Sequence, residues 1–344
     1  MEQRLETLFL QIVLNGPIGI ADLSVLIKED ISIPTLNRAL AKLVNQQFVE
    51  TIGKGPNTRY AVRTDKAIKF PINVDQYFNI DIESRPSKIY FDNNIFKVLH
   101  TSSLFSPDET KKLQTLSEKF NQNKPEKNSI IYKKEFERFM IELSWKSSQI
   151  EGNTYDLLDT EQLLKYGEKN KKYTQEEATM LLNHKEAINY TFAYAEDYKV
   201  LTIAKIIDIH ALLTQNMGIC KNPRKRLVRI TGTKYIPLEN EFQIMEALEK
   251  MCELINLKES VYDKALLAVL LLSYIQPFED GNKLMARLTA NAILMSENLC
   301  PLSYRNVDSG EYKKAMLLFY ELNNISAFRR IFLDQYEFAV NTYF

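Results

Sequence analysis

Cysteine and histidine are scarce in this 344-residue chain: three of each, at Cys220, Cys252, Cys300 and at His100, His184, His210. An odd number of widely spaced cysteines gives neither a disulfide framework nor a zinc-ligand spacing. The scattered histidines give no metal cluster and no Ser/His/Asp triad along the sequence. Ten glycines and eleven prolines are few for a many-turned sheet protein and favour a mainly helical one. Neither charge sign is in excess, since 44 Lys and Arg balance 44 Asp and Glu. No whole-protein field therefore directs the chain to nucleic acid or to a membrane, and any such binding must be local. The longest apolar run, ALLAVLLLSYI, stops at Ile275, short of a membrane span. The start, MEQRLETLFL, has no basic region or small-residue cleavage site of a secretory signal. These absences point to a cytoplasmic protein with no membrane partner. There is also no internal repeat and no low-complexity tract.

A composition of 45% hydrophobic and 26% charged residues supports a large buried core and, at this length, two or three domains. Leu5, Leu8, Phe9, Ile12 and Val13 recur at helical spacing until NGPIG ends the pattern. A short helix over ADLSVLIK follows, and then SIPTLNRALAKLVNQQ, with Leu36, Leu40, Leu43 and Val44 on one face. The runs FVETI and TRYAV, joined by GKGPN, read as a strand pair. Three helices and a hairpin over residues 1–63 look like a winged helix-turn-helix domain. In such a domain Asn37, Arg38 and Lys42 on the third helix, with Lys54 and Arg59 on the wing, are the DNA-contact candidates. Seven basic residues against six acidic ones in this segment make a weak basic footprint, so a protein is an equal alternative as the partner.

Residues 64–105 are rich in Pro, Asn, Asp and aromatics and read as a packed connector rather than a disordered linker. Helical patterns fill residues 106–344. One segment interrupts them: RLVRITGTKYIPL, Arg226 to Leu238, reads over residues 227–238 as a hairpin turning at Thr231, Gly232 and Thr233.

The chemistry concentrates in SYIQPFEDGNKLMARL, Ser273 to Leu288. Pro277 fixes entry to a turn, Phe278 anchors it, Gly281 lets the backbone bend closely, and Asn282 is suited to cap the following helix. Free N–H groups at that helix start form an anion site. Arg287, one turn on, leans back toward it, and Asp280 beside a phosphate suits Mg²⁺.

This loop resembles the active-site motif of the Fic family, His-Pro-Phe-x-acid-Gly-Asn-(Gly or Lys)-Arg-x-x-Arg. A second stretch, SWKSSQIEGN, is similar to that family's inhibitory motif, with Ser147, Glu151, Gly152 and Asn153 in place. Its position before the loop is that of the class with an N-terminal inhibitory helix. The resemblance covers about residues 90–340. It implies a mainly α, Fic-like helical core carrying a small β-hairpin flap, here behind a winged helix. It also implies transfer of AMP from ATP to a protein hydroxyl with Mg²⁺, and a target protein docked on the flap. By resemblance Asp280 holds the metal, Gly281, Asn282, Lys283 and Arg287 hold phosphates, and Glu151 pairs with Arg287 to keep the site off.

Two positions depart from the motif. Gln276 replaces the His that acts as general base, and an amide cannot take a proton near neutral pH, an effect typically worth ~10²–10⁴-fold. Leu284 replaces the first Arg and removes a charge-assisted phosphate contact. His184 and His210 lie in helical patterns among apolar residues, where core or helix-surface histidines are commoner than a catalytic base. The sequence thus supports an autoinhibited adenylyltransferase with weakened transfer, or a catalytically silent regulator that binds nucleotide, DNA or protein. A second copy of the chain is a further partner it admits.

Overall fold

The structure, a computed structural model, describes residues 2–27 and 31–343. Lys28, Glu29 and Asp30, counted in the charge balance above, lie outside the described residues. Two compact units form: residues 1–102 with 230–236 and 317–327, and residues 103–229 with 237–316 and 328–344.

The first unit begins with α1 (Glu2–Asn15), β1 (Ile18–Gly19), α2 (Ile20–Leu26), α3 (Ile33–Asn45), β2 (Val49–Ile52) and β3 (Arg59–Val62). The strands make one antiparallel sheet in the order β1-β3-β2, with Val49 opposite Val62 and Ile52 opposite Arg59. Gly53 and Gly55 take φ values of 85° and 61° in the connecting loop, a region that favours glycine. The NGPIG stretch, expected only to turn, also supplies β1, where Ile18 pairs with Tyr60. The 3.6-residue spacing of α3 places Leu36, Leu40 and Leu43 inside and leaves Asn37, Arg38 and Lys42 exposed.

The connector carries three short helices, α4 (Thr64–Ala67), α5 (Val74–Phe78) and α6 (Asn94–Thr101). It packs through its aromatics, as the composition implied. Phe70 stacks on Phe9 at 3.9 Å, and the Tyr77 hydroxyl donates to Glu321 at 2.7 Å. Arg85 grips the same buried carboxylate through Nε and Nη2 at 2.8 and 2.7 Å.

The expected hairpin over 227–238 is corrected in part. Its turn is present, with Gly232 at φ 88°, but its arms form no ladder with each other among the described residues. Within the first unit their polar groups go to the connector instead. Ile236 N donates to Ile89 O at 2.7 Å, Arg85 donates to Gly232 O, and Tyr90 forms a parallel bridge with Ile236.

The second unit is helical. It contains α7 (Pro107–Asn123), α8 (Ile130–Ile150), α9 (Leu157–Tyr166), α10 (Gln175–Ala193), α11 (Ile203–Leu213), α12 (Glu241–Leu257), α13 (Val261–Ile275) and α14 (Asn282–Ser296). Two further helices, α15 (Ser309–Leu322) and α16 (Ser326–Thr342), pass through both units. Ser106 opens α7 and Thr174 opens α10, each with a reciprocal capping box to the Glu at the third position. The apolar run ending at Ile275 becomes α13, buried on every side from Ala265 onward, as expected of a helix hydrophobic all round at the centre of a core. It packs along α14, and α14 also meets α8, α10 and α11. No helix among the described residues is long and apolar enough to cross a membrane.

Candidate active site

The loop between α13 and α14 is held rigidly. Gln276 ends α13 in the left-handed region, φ 50° and ψ 61°, an uncommon conformation for a residue with a side chain. Its own amide compensates by donating from Nε2 to Ser273 O at 2.6 Å. Phe278 is fully buried, with its ring stacked on that of His210 at 3.6 Å. His210 Nε2 lies 3.0 Å from Asp280 O, and burial pulls this histidine below its ordinary pKa.

Gly281 has φ 76°, and a Cβ there would stand 3.4 Å from Thr214 Cγ2. Both conformation and space therefore favour glycine. Asn282 does not cap α14, contrary to expectation; Gly281 is the residue at the cap and has no side chain to offer. The Asn282 amide instead closes the loop, accepting from Phe278 N at 2.8 Å and donating to Phe278 O at 2.8 Å and to Gln276 Oε1 at 3.1 Å. The first N–H groups of α14 are consequently left without a side-chain cap and point out of the helix as an anion site. Asp280 is exposed beside them, with Oδ1 accepting from Gly281 N at 2.7 Å.

The end of α8 meets the start of α14 through charge. Arg287 is completely buried. Its Nε donates to Ser147 Oγ at 2.7 Å, and its Nη2 donates to Ser147 O and to Glu151 Oε1, both at 2.9 Å. The other Glu151 oxygen accepts from Lys283 Nζ at 2.9 Å. Glu151 is the C-cap of α8, and Gly152 follows at φ 105°, a helix stop that glycine favours. Asn153 fixes the exit by donating to Glu177 O at 3.0 Å and accepting from Tyr155 N at 3.0 Å. Burial pushes the Glu151 carboxyl up, but Arg287 and then Lys283 outweigh it and hold the group below the usual carboxylate range. Glu151 is therefore an anion at neutral pH.

The site thus brings together Ser147, Glu151, Gly281, Asn282, Lys283 and Arg287. Leu284 is buried and faces away from water. His184 is buried with Nδ1 3.2 Å from Ser144 Oγ, and burial, with Arg287 nearby, depresses its pKa to about 3. Both histidines are core residues. Thr231, Gly232 and Thr233 form the turn described in the first unit. Lys54 and Arg59 are exposed, like the three α3 positions.

Spacing gave no hint of Arg224. This buried side chain donates from Nε to Gln276 O, from Nη1 to Arg226 O and from Nη2 to Leu238 O, each at 2.7 Å, while its backbone N bonds Pro277 O. An arginine that donates to backbone carbonyls leaves no motif. In KNPRKRLVR it is one of five basic residues.

The residues present fit a nucleotide phosphate group with Mg²⁺. Arg287 Nη1 is a buried donor without a hydrogen-bond partner, the α14 N-terminus is uncapped, and Asp280 offers an exposed carboxylate. No group of three or more His, Cys, Asp and Glu capable of holding a metal occurs among the described residues, so phosphate oxygens would have to complete a Mg²⁺ shell around Asp280.

A helical core, a Pro-Phe-acid-acid-Gly-Asn turn opening a buried helix, and a carboxylate clamped on that helix's arginine define a Fic-type fold. Residues 200–294 match the Fic/DOC family, and the chain carries a Fic/DOC domain. It is 22% identical to the protein adenylyltransferase fic-1 of Caenorhabditis briggsae over 249 residues, 71% of this chain and 49% of that protein. The chain thus matches about half the length of this curated relative. Among solved structures it is similar to Fic-1 (residues 134–508) of Caenorhabditis elegans, with TM-score 0.57, 19% identity and coverage of 68% of this chain and 69% of that one. A Fic domain-containing signaling protein of Bacteroides thetaiotaomicron gives TM-score 0.56 at 20% identity, over 67% and 94% of the chains. A Fic family protein of Desulfovibrio desulfuricans gives 0.58 at 17%, over 70% and 74%. At such identities the likeness establishes the shared fold.

Proposed function

We propose that this chain is an autoinhibited, adenylyltransferase-like Fic protein whose transfer step is impaired. The observation that carries this proposal is the double clamp of Glu151 on Arg287 and Lys283. Both cations lie at the start of α14, where phosphates would sit, and a carboxylate occupies them in their place. With Glu151 withdrawn, the α14 N–H groups and the two cations would hold the phosphates. Asp280 would hold Mg²⁺, which neutralises charge on the phosphates during transfer. A target hydroxyl attacks the α-phosphorus, pyrophosphate leaves, and the hydroxyl proton needs an acceptor. Gln276 cannot be that acceptor, which costs ~10²–10⁴-fold.

A regulatory role without transfer is supported by a different observation: the Gln276 amide is bonded at both ends inside the loop, to Ser273 O and Asn282, and is almost completely buried. In that role residues 1–63 act as a winged helix on DNA or a protein, with Asn37, Arg38, Lys42, Lys54 and Arg59 as its polar face. Docking of a protein target on the turn at Thr231 to Thr233 belongs to the transferase role.

Intact-protein mass after incubation with Mg²⁺ and ATP separates the two. An AMP adduct on Glu151→Gly supports an inhibited enzyme. An adduct only on Glu151→Gly with Gln276→His identifies Gln276 as the lesion. Absence of adduct on both folded variants overturns the transferase role.

A further inference from the structure

The first unit carries a cavity of about 390 Å³, partly open to solvent, within the range of about 300–1,000 Å³ in which small-molecule sites fall. Its deep wall is apolar: Phe9 and Leu10 from α1, Ile68 and Ile72 from the connector, Ile95 from α6, and Leu322. All six side chains are buried and form its apolar floor, while Val13, Ala67 and Val98 line it half-buried.

The polar groups around it are unevenly satisfied. Asn324 Nδ2 donates to Ala67 O and Phe70 O. Lys88 is paired with Asp92 and donates to Asn323 Oδ1 at 2.8 Å, which makes that side electrically neutral. Lys97, also on the lining, is exposed and has no ion pair or side-chain hydrogen bond among the described residues. With Lys88 and Lys97 against Asp92, the charged groups of the lining leave one positive charge over.

We infer that this cavity is a binding site for an amphipathic monocarboxylate, an acid with a medium-length alkyl or aryl body. Its body replaces water against Val13, Ala67 and Val98, and its carboxylate pairs with Lys97. A neutral alcohol of the same length fills the same space but forfeits the charge, and a small hydrophilic anion forfeits the burial. The site is separate from the Fic loop and independent of the activity proposed for it. It touches α1, which packs on α3, the helix bearing Asn37, Arg38 and Lys42.

The test is calorimetric titration of the full chain with decanoate and with decanol, both below their aggregation limits. Wild type should bind decanoate saturably at one site and more tightly than decanol. Lys97→Gln should weaken decanoate about fivefold, the scale of an exposed ion pair, and leave decanol unchanged. Ala67→Phe, which fills the cavity from its lining, should abolish binding of both while circular dichroism reports the native helix content. No saturable decanoate binding by wild type would overturn the inference. So would equal decanoate affinity in wild type and Lys97→Gln, or binding retained in a folded Ala67→Phe protein. If Ala67→Phe does not fold, Val98→Phe on the same lining carries the same expectation.

Discussion

At the residue scale, replacing one polar group by another of similar size changes what a site can do. Gln276 keeps the size and polarity its position needs to close the loop and lacks the basicity that proton transfer needs. That difference is legible in the sequence, because it follows from functional-group chemistry. The two histidines are legible as core or helix-surface residues, but neither that choice nor their protonation is, since both depend on burial. His184 is driven to a pKa of about 3 by its surroundings, against about 6.5 when unfolded. Between those values the unfolded chain binds the proton and the folded chain does not, so stability is fully present above about pH 6.5 and falls as pH drops toward 3. The loss should be about 1.4 kcal/mol for each pH unit in that window. Urea unfolding of wild type and His184→Gln at pH 7 and pH 5 checks this. Wild type should lose about 2 kcal/mol more than the variant over the interval, and parallel losses would count against a neutral His184.

At the element scale, periodicity and turn chemistry locate α3, the β2-β3 pair and α13, each of which depends on local spacing. They did not locate β1, whose two residues form a strand because β3 is beside them. Nor did they show that the arms around Gly232 would spend their hydrogen bonds on the connector. Asn282 was misjudged for a related reason: capping propensity is local, but its side chain is drawn back to Phe278 and Gln276 by the shape of the loop. Arg224 belongs to this scale because it ties three separate backbone carbonyls together. Arg224→Met should deprive three carbonyls of a donor, for a total loss of about 2–5 kcal/mol. Arg224→Lys, with the charge but not the planar fork, should fall between. Urea midpoints measure both, and a methionine variant within about 0.5 kcal/mol of wild type would remove Arg224 from this role.

At the scale of the whole molecule, the balance of charges leaves the first 63 residues with little electrostatic pull, so any DNA binding rests on a few side chains. If Arg38 and Lys42 each contact a phosphate, wild type binds duplex DNA with strong salt dependence. Alanine at both positions should then lower the slope of log affinity against log salt by about 2. Fluorescence anisotropy over a salt series reads the slope, and an unchanged value would assign that face to a protein partner. Division of the chain into units was less legible than the motifs, because residues 230–236 and 317–327 join the first unit from far along the sequence, a pairing that no local pattern encodes. What the sequence did carry is the relation between SWKSSQIEGN and the loop at Gln276. Two short motifs far apart in the sequence lie together in the structure, with Glu151 on Arg287 and on Lys283. The most direct measurement is therefore the affinity of wild type and Glu151→Gly for ATP with Mg²⁺ by titration calorimetry. Release of two cations should tighten binding by at least tenfold, the scale of one charge-assisted contact. Equal affinities in two folded proteins would contradict the claim that Glu151 occupies the place of a phosphate.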